Sequence, residues 1–457
     1  MFGKLKHIHF VGIGGSGMSG IAQIMKNLGY EVTGSDINKT VLTENLKNKD
    51  IQIYYNHNAQ NCLGASVVVY STAIDKDNPE IKYALENKIP VIPRAEMLAE
   101  LMRIKFSIAV SGTHGKTTVT SLIGAILEQA GLNPTIIIGG RVIGADTGAK
   151  LGQSEYLVAE ADESDRSFLL LYPTIAVVTN IEREHLDFYR NTPEIKRAFI
   201  QFANKTPFFG TVILGIDCNA VRKIVPMIKR DFITFGIRKN AQVRAENIRL
   251  SNFHSDFQLR YNGQSYHFKI NLAGRHNVKN ALAAICVALK LEIPLPDIAQ
   301  ALENFSGVHR RLEKKGEKHG ITVYDDYGHH PTEIKATLSA LRHAYPKRRI
   351  ITVFQPHRYT RTKFLAQHFG RAFNSSDVVI ITKIYPASEP PIPGVTAQLI
   401  VDAIKKSNKT QSCEVFYKEN FKDITEFLQN NIKPNDIIIT LGAGNIWQVG
   451  EDLLKLL

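Results

Sequence analysis

Hydrophobic residues along this chain gather into short unbroken runs instead of alternating with polar ones. His7-Ile8-His9-Phe10-Val11, Ser66-Val67-Val68-Val69-Tyr70, Phe106-Ser107-Ile108-Ala109-Val110, Tyr156-Leu157-Val158-Ala159, Ile175-Ala176-Val177-Val178, Thr211-Val212-Ile213-Leu214 and Ile437-Ile438-Ile439-Thr440 are of this kind. Strands buried on both faces read this way, and helical stretches such as Ile21 to Met25, Val119 to Gln129 and Val278 to Leu291 separate them. The pattern predicts parallel sheets covered by helices, an α/β fold.

The runs divide into three consecutive domains. Residues 1–104 carry strands near His7, Tyr30 to Thr33, Ile51 to Tyr55, Ser66 and Val91. They form a Rossmann-like N-terminal domain that leaves through Pro90, Pro93 and a short helix from Ala95 to Arg103. Residues 105–308 read as a central P-loop ATPase-like domain. Alternation returns over residues 243–270, and Asn262-Gly263 is a hairpin turn, so an antiparallel edge is expected there. Residues 309–457 repeat the first pattern, with strands at Ile321 to Tyr324, Ile350 to Phe354, Val378 to Thr382, Val415-Phe416 and Ile437 to Thr440. A C-terminal Rossmann-like domain follows.

With 457 residues the chain exceeds what one hydrophobic core supports. Its 44% apolar and 22% charged residues exclude disorder as a general state. No apolar run reaches the length of a membrane span, and Met1 to Lys6 lacks the apolar core and cleavage site of a secretory signal. Cys62, Cys218, Cys286 and Cys413 lie far apart, which fits free thiols in a reducing cytoplasm better than a disulfide framework or zinc site. Cys286, inside Ala281-Leu282-Ala283-Ala284-Ile285, reads as core. The net charge of +13 attracts anions. With no long basic arm and no aromatic RNA-binding signature, small anionic ligands are expected in preference to nucleic acid.

Two glycine turns carry candidate chemistry. In the first, Gly12-Ile13-Gly14-Gly15-Ser16-Gly17 matches G-x-G-x-x-G between a strand and a helix, and Asp36 stands about twenty residues on, where a ribose hydroxyl would be bound. A close helix–strand packing turn would use the same glycines. In the second, Ser111-Gly112-Thr113-His114-Gly115-Lys116-Thr117-Thr118 joins an apolar strand to a helix. Backbone N–H groups there would cradle phosphate, Lys116 would reach the β/γ-phosphates, and the Thr117 hydroxyl would ligate Mg²⁺. The loop is two residues shorter than the common G-x-x-x-x-G-K-[ST] form. Two phosphate loops on two domains point to a reaction with two phosphorylated substrates.

Glu160-Ala161-Asp162-Glu163-Ser164-Asp165 ends one apolar strand, and Thr179-Asn180-Ile181-Glu182-Arg183-Glu184-His185-Leu186-Asp187 ends the next. Ligands in open α/β sheets collect at strand carboxyl ends, so both segments should face the phosphate loop. Glu160 and Thr117 offer the hard oxygens Mg²⁺ requires, and His185 would serve a second ion beside phosphate oxygens. A solvated acidic loop and a helix cap are the plainer readings. Gly274-Arg275-His276-Asn277-Val278-Lys279-Asn280, ahead of an Ala-rich helix, reads by itself as a polar cap.

In order, Gly112 to Thr117, the Glu160 cluster, Thr179 to His185 and His276 to Asn280 resemble the Mur ligase family. His9 to Met18, Tyr324-Asp325-Asp326-Tyr327-Gly328-His329-His330-Pro331 and Phe354-Gln355-Pro356-His357-Arg358-Tyr359-Thr360-Arg361-Thr362 extend the resemblance over essentially the whole chain. The resemblance implies an ATP-driven amide ligation of peptidoglycan synthesis. On that resemblance the lactyl carboxylate of UDP-N-acetylmuramate would become an acyl phosphate, which the amine of L-alanine would attack. It also implies Mg²⁺, with Mn²⁺ as a substitute, and places the UDP portion on Gly12, Gly14, Gly15, Ser16, Gly17, Met18, Asp36, Ser71 and Thr72. Thr117, Glu160 and His185 match metal ligands. Gly112 to Thr118, His276, Asn277 and Asn280 match nucleotide contacts, as do Arg311 for a phosphate and Asp326 for a ribose. Lys116 and His185, with Tyr327, His329, Arg358 and Arg361 at the substrate end of the third domain, are the catalytic candidates, and the two arginines suit a carboxylate. Arg197-Ala198-Phe199-Ile200 stands where some sister ligases carry a modified lysine, with Lys196 out of register, so no carbamylated lysine is expected.

Three alternatives remain at this level. A sister ligase adding a recycled tripeptide to the same nucleotide sugar would share most motifs. An NAD-dependent oxidoreductase would explain the first turn but not Lys116, Thr117 or the Glu160/His185 pair. A nucleotide-gated nucleic-acid binder would need steep salt dependence.

Overall fold

The computed structural model describes residues 6–71, 73–139, 148–184, 188–387, 389–407 and 413–457. Three sheets organise three α/β domains. The first has five parallel strands in the order Gln52–Tyr54, Glu31–Ser35, His7–Val11, Val67–Tyr70, Val91–Pro93. Its order reverses at His7–Val11, the central strand that leads straight into the first glycine turn. That is where a ligand crevice opens in such sheets.

The second sheet has ten strands, in the order Gln264–Ile270, His254–Tyr261, Val243–Ser251, Phe232–Gly236, Thr211–Gly215, Ile175–Val178, Phe106–Ser111, Tyr156–Glu160, Thr135–Ile137, Ala149–Lys150. Its middle strands pair in parallel, and Ile108, Ala109, Val110, Val158, Val177, Ile213 and Leu214 are all fully buried. Each large apolar side chain so buried contributes about 1.5 to 3 kcal/mol. At one end the hairpin expected around Asn262-Gly263 is present, with both residues at positive φ (48° and 78°), as a tight two-residue turn demands.

The third sheet runs Glu313–Lys318, Ile321–Asp326, Ile437–Leu441, Ile350–Phe354, Val378–Ile381, Glu414–Tyr417. Five strands are parallel, but Glu313–Lys318 pairs antiparallel with Ile321–Asp326 through a bulge at Lys314/Gly316. The strands expected for this domain from apolar runs do not include this segment. Its run of lysine and glutamate suits an exposed edge strand, where charge discourages further pairing.

Packing divides the chain into two compact units. One comprises residues 1–246, 259–266 and 279–305, and so contains the first sheet and most of the second. The other comprises residues 247–258, 267–278 and 306–457. Within the first unit, helix Ser16–Asn27 lies on the edge strand Ala149–Lys150 so closely that a Cβ on Gly20 would stand 2.6 Å from the Ala149 Cβ. Glycine there is a packing requirement.

Candidate functional site

The central phosphate loop is fixed by its neighbour strand. Strands Phe106–Ser111 and Ile175–Val178 run parallel, which sets Thr179-Asn180 beside the loop. Asn180 Oδ1 accepts the His114 N–H at 2.9 Å, and Asn180 Nδ2 returns a bond to His114 O at 2.9 Å. The Thr179 hydroxyl donates to the same carbonyl at 2.7 Å. Thr113 N donates to Asn180 O at 3.1 Å, and the Thr113 hydroxyl accepts from Glu182 N at 2.9 Å. Gly112 and Gly115 bend the chain at φ +137° and +84°. Gly115 then caps helix Lys116–Gln129 with no side-chain bond to its first-turn N–H groups. Backbone N–H groups at a helix start attract an anion.

Lys116 lies across this loop. Its Nζ donates to Gly112 O at 2.8 Å and to both carboxylate oxygens of Glu163, at 2.9 and 3.0 Å. Burial alone would lower the ammonium pKa, but the charges of Glu163, Asp162 and Glu160 outweigh it and raise the group above its ordinary value. Lys116 is therefore a permanent cation. Glu160 ends the strand paired with the phosphate strand, in register with Val110. Thr117 is half-buried one residue beyond the lysine, and Thr118 is buried. Asn280, on helix Arg275–Lys290, stands directly against Gly115. His276 and Asn277 occupy that helix's first turn, where Asn277 Nδ2 donates to Ala273 O at 2.9 Å. The metal candidate His185 lies outside the described residues.

The first glycine turn has its own fixings. Ser35 O accepts both Gly12 N and Ile13 N, at 2.8 and 3.0 Å. Asp36 Oδ2 accepts Gly14 N at 2.9 Å. Ser71, held by Val11 O, lies beside Gly12, while Thr72 falls outside the described residues. The Met18 side chain is 1% exposed and belongs to the core, so it does not itself face a ligand. Gly15 caps helix Ser16–Asn27, again without a side-chain bond, and Ser16 and Gly17 occupy that helix's first turn.

Sequence reasoning missed Arg94. It opens helix Arg94–Arg103, and a Cβ on Gly17 would stand 3.2 Å from its Nη1. A guanidinium at the positive end of a helix is unfavourable unless an anion joins it. Its signal in sequence was an arginine directly after Pro93. Beneath the turn lies a second feature that no spacing announced. The fully buried Glu80 accepts from Ser35 Oγ at 2.6 Å and Asn61 Nδ2 at 2.6 Å, and it pairs with His57 Nδ1 at 2.8 Å and His9 Nε2 at 3.5 Å.

In the third domain Asp326 accepts Gly328 N and Leu312 N, each at 2.7 Å. Burial pushes its carboxyl up to about 6 against the charge of Arg311 and those two bonds. Arg311 and Arg310 lie over the Tyr327 ring at 5.3 and 5.0 Å. Tyr327 meets His329 edge-on at 5.7 Å, and His329 lies 5.6 Å from His357, which stacks on Tyr385 at 5.6 Å. Arg361 Nη1 reaches His357 O at 2.9 Å. Arg358, at φ +71°, is 3.7 Å from Glu389. The structure thus collects Tyr327, His329, Arg358 and Arg361 in one neighbourhood and adds His357, Tyr385 and Glu389 to them.

Three domains of one family cover the chain. The Mur ligase family catalytic domain matches residues 7–106, the Mur ligase middle domain residues 110–288, and the Mur ligase glutamate ligase domain residues 310–444. The chain belongs to the Mur ligase family. Among relatives of this Mur ligase, the UDP-N-acetylmuramate–L-alanine ligase of Geobacter sp. (strain M21) is 50% identical over 455 residues, covering 99% of this chain and 98% of its own. The crystal structure of UDP-N-acetylmuramate–alanine ligase from Thermotoga maritima superposes with a TM-score of 0.83 at 28% identity, covering 99% of both chains. A murein peptide ligase from Psychrobacter arcticus shares the fold, with a TM-score of 0.72 at 24% identity over 98% of both chains.

Proposed function

We propose that this Mur ligase joins L-alanine to the lactyl carboxylate of UDP-N-acetylmuramate, converting ATP to ADP and phosphate in peptidoglycan precursor synthesis. The observation that carries the reading is Lys116, a half-buried cation on a glycine loop at a helix start with Glu160, Asp162 and Glu163 around it. The substrates come from the full-length relatives named above.

In the reaction a lactyl carboxylate oxygen attacks the γ-phosphorus and ADP leaves, giving an acyl phosphate. The amine nitrogen of L-alanine attacks its carbonyl carbon, loses a proton, and the tetrahedral intermediate expels inorganic phosphate. Such transfers need alignment and charge neutralisation more than covalent help from the protein. The loop N–H groups and Lys116 would hold the phosphates, with Asn280 setting the loop's outer wall. Thr117 and Glu160 present the hard oxygens that suit Mg²⁺, which when bound would spread the phosphate charge. Gly12, Gly14, Gly17, Asp36, Ser71 and Arg94 would take the UDP portion in a domain spanning 1–104. We assign ATP to the domain spanning 105–308. Within the domain spanning 309–457, Arg358 and Arg361 would hold a carboxylate near Tyr327 and His329, and Arg311 and Asp326 would contact the nucleotide.

Among the described residues no helix is long and apolar enough to cross a membrane, and all four cysteines are free. Both facts support a cytoplasmic enzyme. The test is ADP release by the purified chain. Release is expected only when UDP-N-acetylmuramate and L-alanine are both present, and equal turnover with a murein tripeptide in place of L-alanine would overturn the assignment.

A further inference from the structure

All three donors of the Lys116 ammonium are directed at acceptors within the protein: Gly112 O and the two oxygens of Glu163. Glu163 is 2% exposed and is held from behind. The Tyr189 hydroxyl donates to Glu163 O at 2.7 Å, Arg166 N donates to the same carbonyl at 3.3 Å, and the Arg166 guanidinium lies 5.0 Å over the Tyr189 ring. Tyr189 is itself buried. The main chain that carries this carboxylate is therefore anchored beside Lys116, and a phosphate oxygen can bond the ammonium only by displacing part of this clasp.

We propose that Glu163 is an internal anion that competes with nucleotide phosphates for Lys116 and sets how tightly the loop holds ADP. The inference rests on reading this loop as the nucleotide site, and it gives Glu163 a role beyond that reading. Phosphate binding exchanges one charge-assisted bond for another, so the net gain is small. After turnover Glu163 recaptures the lysine and ADP departs. An interaction that holds substrate and product equally adds nothing to the chemical step, and a tightly held product slows it. A carboxylate that merely oriented Lys116 would act in the opposite sense, because its loss would weaken nucleotide binding.

The experiment compares the wild-type chain with Glu163→Gln and Glu163→Asp, using calorimetry with Mg-ADP and steady-state kinetics. Glutamine keeps the volume and removes the charge, and should tighten ADP about tenfold, the scale of one charge-assisted hydrogen bond. KM for ATP and kcat should fall together, leaving kcat/KM within about threefold. Glu163→Asp, too short to hold both contacts, should shift ADP affinity the same way by less, which keeps the test alive if the glutamine variant does not fold. Unchanged UDP-N-acetylmuramate affinity reports an intact protein. ADP affinity equal to or weaker than wild type in an intact variant overturns the proposal. A wild-type chain that binds no ADP removes the phosphate-loop reading itself, and the proposal with it.

Discussion

Asn280 stands where a side chain on Gly115 would have to go: a Cβ built on Gly115 lies 2.5 Å from Asn280 Oδ1. Gly115 also sits at φ +84°, a conformation that costs a residue with a Cβ about 1 to 3 kcal/mol. Gly115→Ala must therefore flatten the loop or displace Asn280, and either change misaligns the N–H groups aimed at phosphate. We expect ADP affinity to fall at least about tenfold, with UDP-N-acetylmuramate binding preserved. Calorimetry with each ligand checks this, and wild-type ADP affinity in the variant would contradict the loop's assignment.

Arg94 gives a complementary expectation in the first domain. Its guanidinium lies at the uncapped start of helix Ser16–Asn27, against Gly17, where two positive ends meet. A diphosphate between them would relieve that repulsion. Arg94→Ala should raise KM for UDP-N-acetylmuramate by about tenfold or more, since an arginine–phosphate contact is among the stronger hydrogen bonds, and leave ADP affinity unchanged. Steady-state kinetics with the nucleotide sugar as the varied substrate provides the check. An unchanged KM would remove Arg94 from the site.

What the sequence revealed and what it hid differ in range. The two glycine turns were legible because a strand, a glycine bend and a helix start are encoded within a dozen residues, and positive φ at Gly12, Gly112 and Gly115 is a local demand. The parallel sheets were legible because burial on both faces leaves an unbroken apolar run. Glu313–Lys318 was not, because an exposed edge strand carries the same lysines and glutamates as a solvated loop. Arg94 against Gly17, and His9, Ser35, His57 and Asn61 around Glu80, are contacts between separate strands and helices, and no spacing rule announces them. Glu163 was in view inside Glu160-Ala161-Asp162-Glu163, but only the turn that brings it back to Lys116 separates its role from that of Glu160.

The Glu80 network makes stability depend on pH. Burial works to raise the Glu80 carboxyl, but bonds from His9, Ser35 and Asn61 prevail and hold it below its ordinary value. A carboxyl depressed in the folded state adds stability above its unfolded pKa and loses it as pH falls through the folded one. Glu80→Ala strands several buried donors and should cost about 3 kcal/mol at neutral pH, with the deficit shrinking below about pH 4. Urea unfolding of both proteins at pH 7 and at about pH 3.5 measures it. A deficit that grows on acidification would reverse the sign argued here.

Asp326 has the opposite sign. Its pKa is raised to about 6 by burial, against an ordinary value of 3.8, so the folded chain holds a proton there that the unfolded chain has released between those two values. Stability from this group is fully present below the unfolded pKa and is lost as pH rises through the folded one. At 1.36 kcal/mol per pKa unit the loss amounts to about 3 kcal/mol. Asp326→Asn cannot titrate, although its amide must accept from Gly328 N and Leu312 N through a single oxygen and is less stable on that account. The difference in unfolding free energy, wild type minus variant, should therefore fall as pH rises from about 4 to about 6 and stay flat above. Denaturant titrations at half-unit pH steps trace that curve. A difference that is level across the interval would mean that Arg311 and the two N–H groups, and not burial, govern the carboxyl, which would then be ionised throughout the range in which the enzyme works.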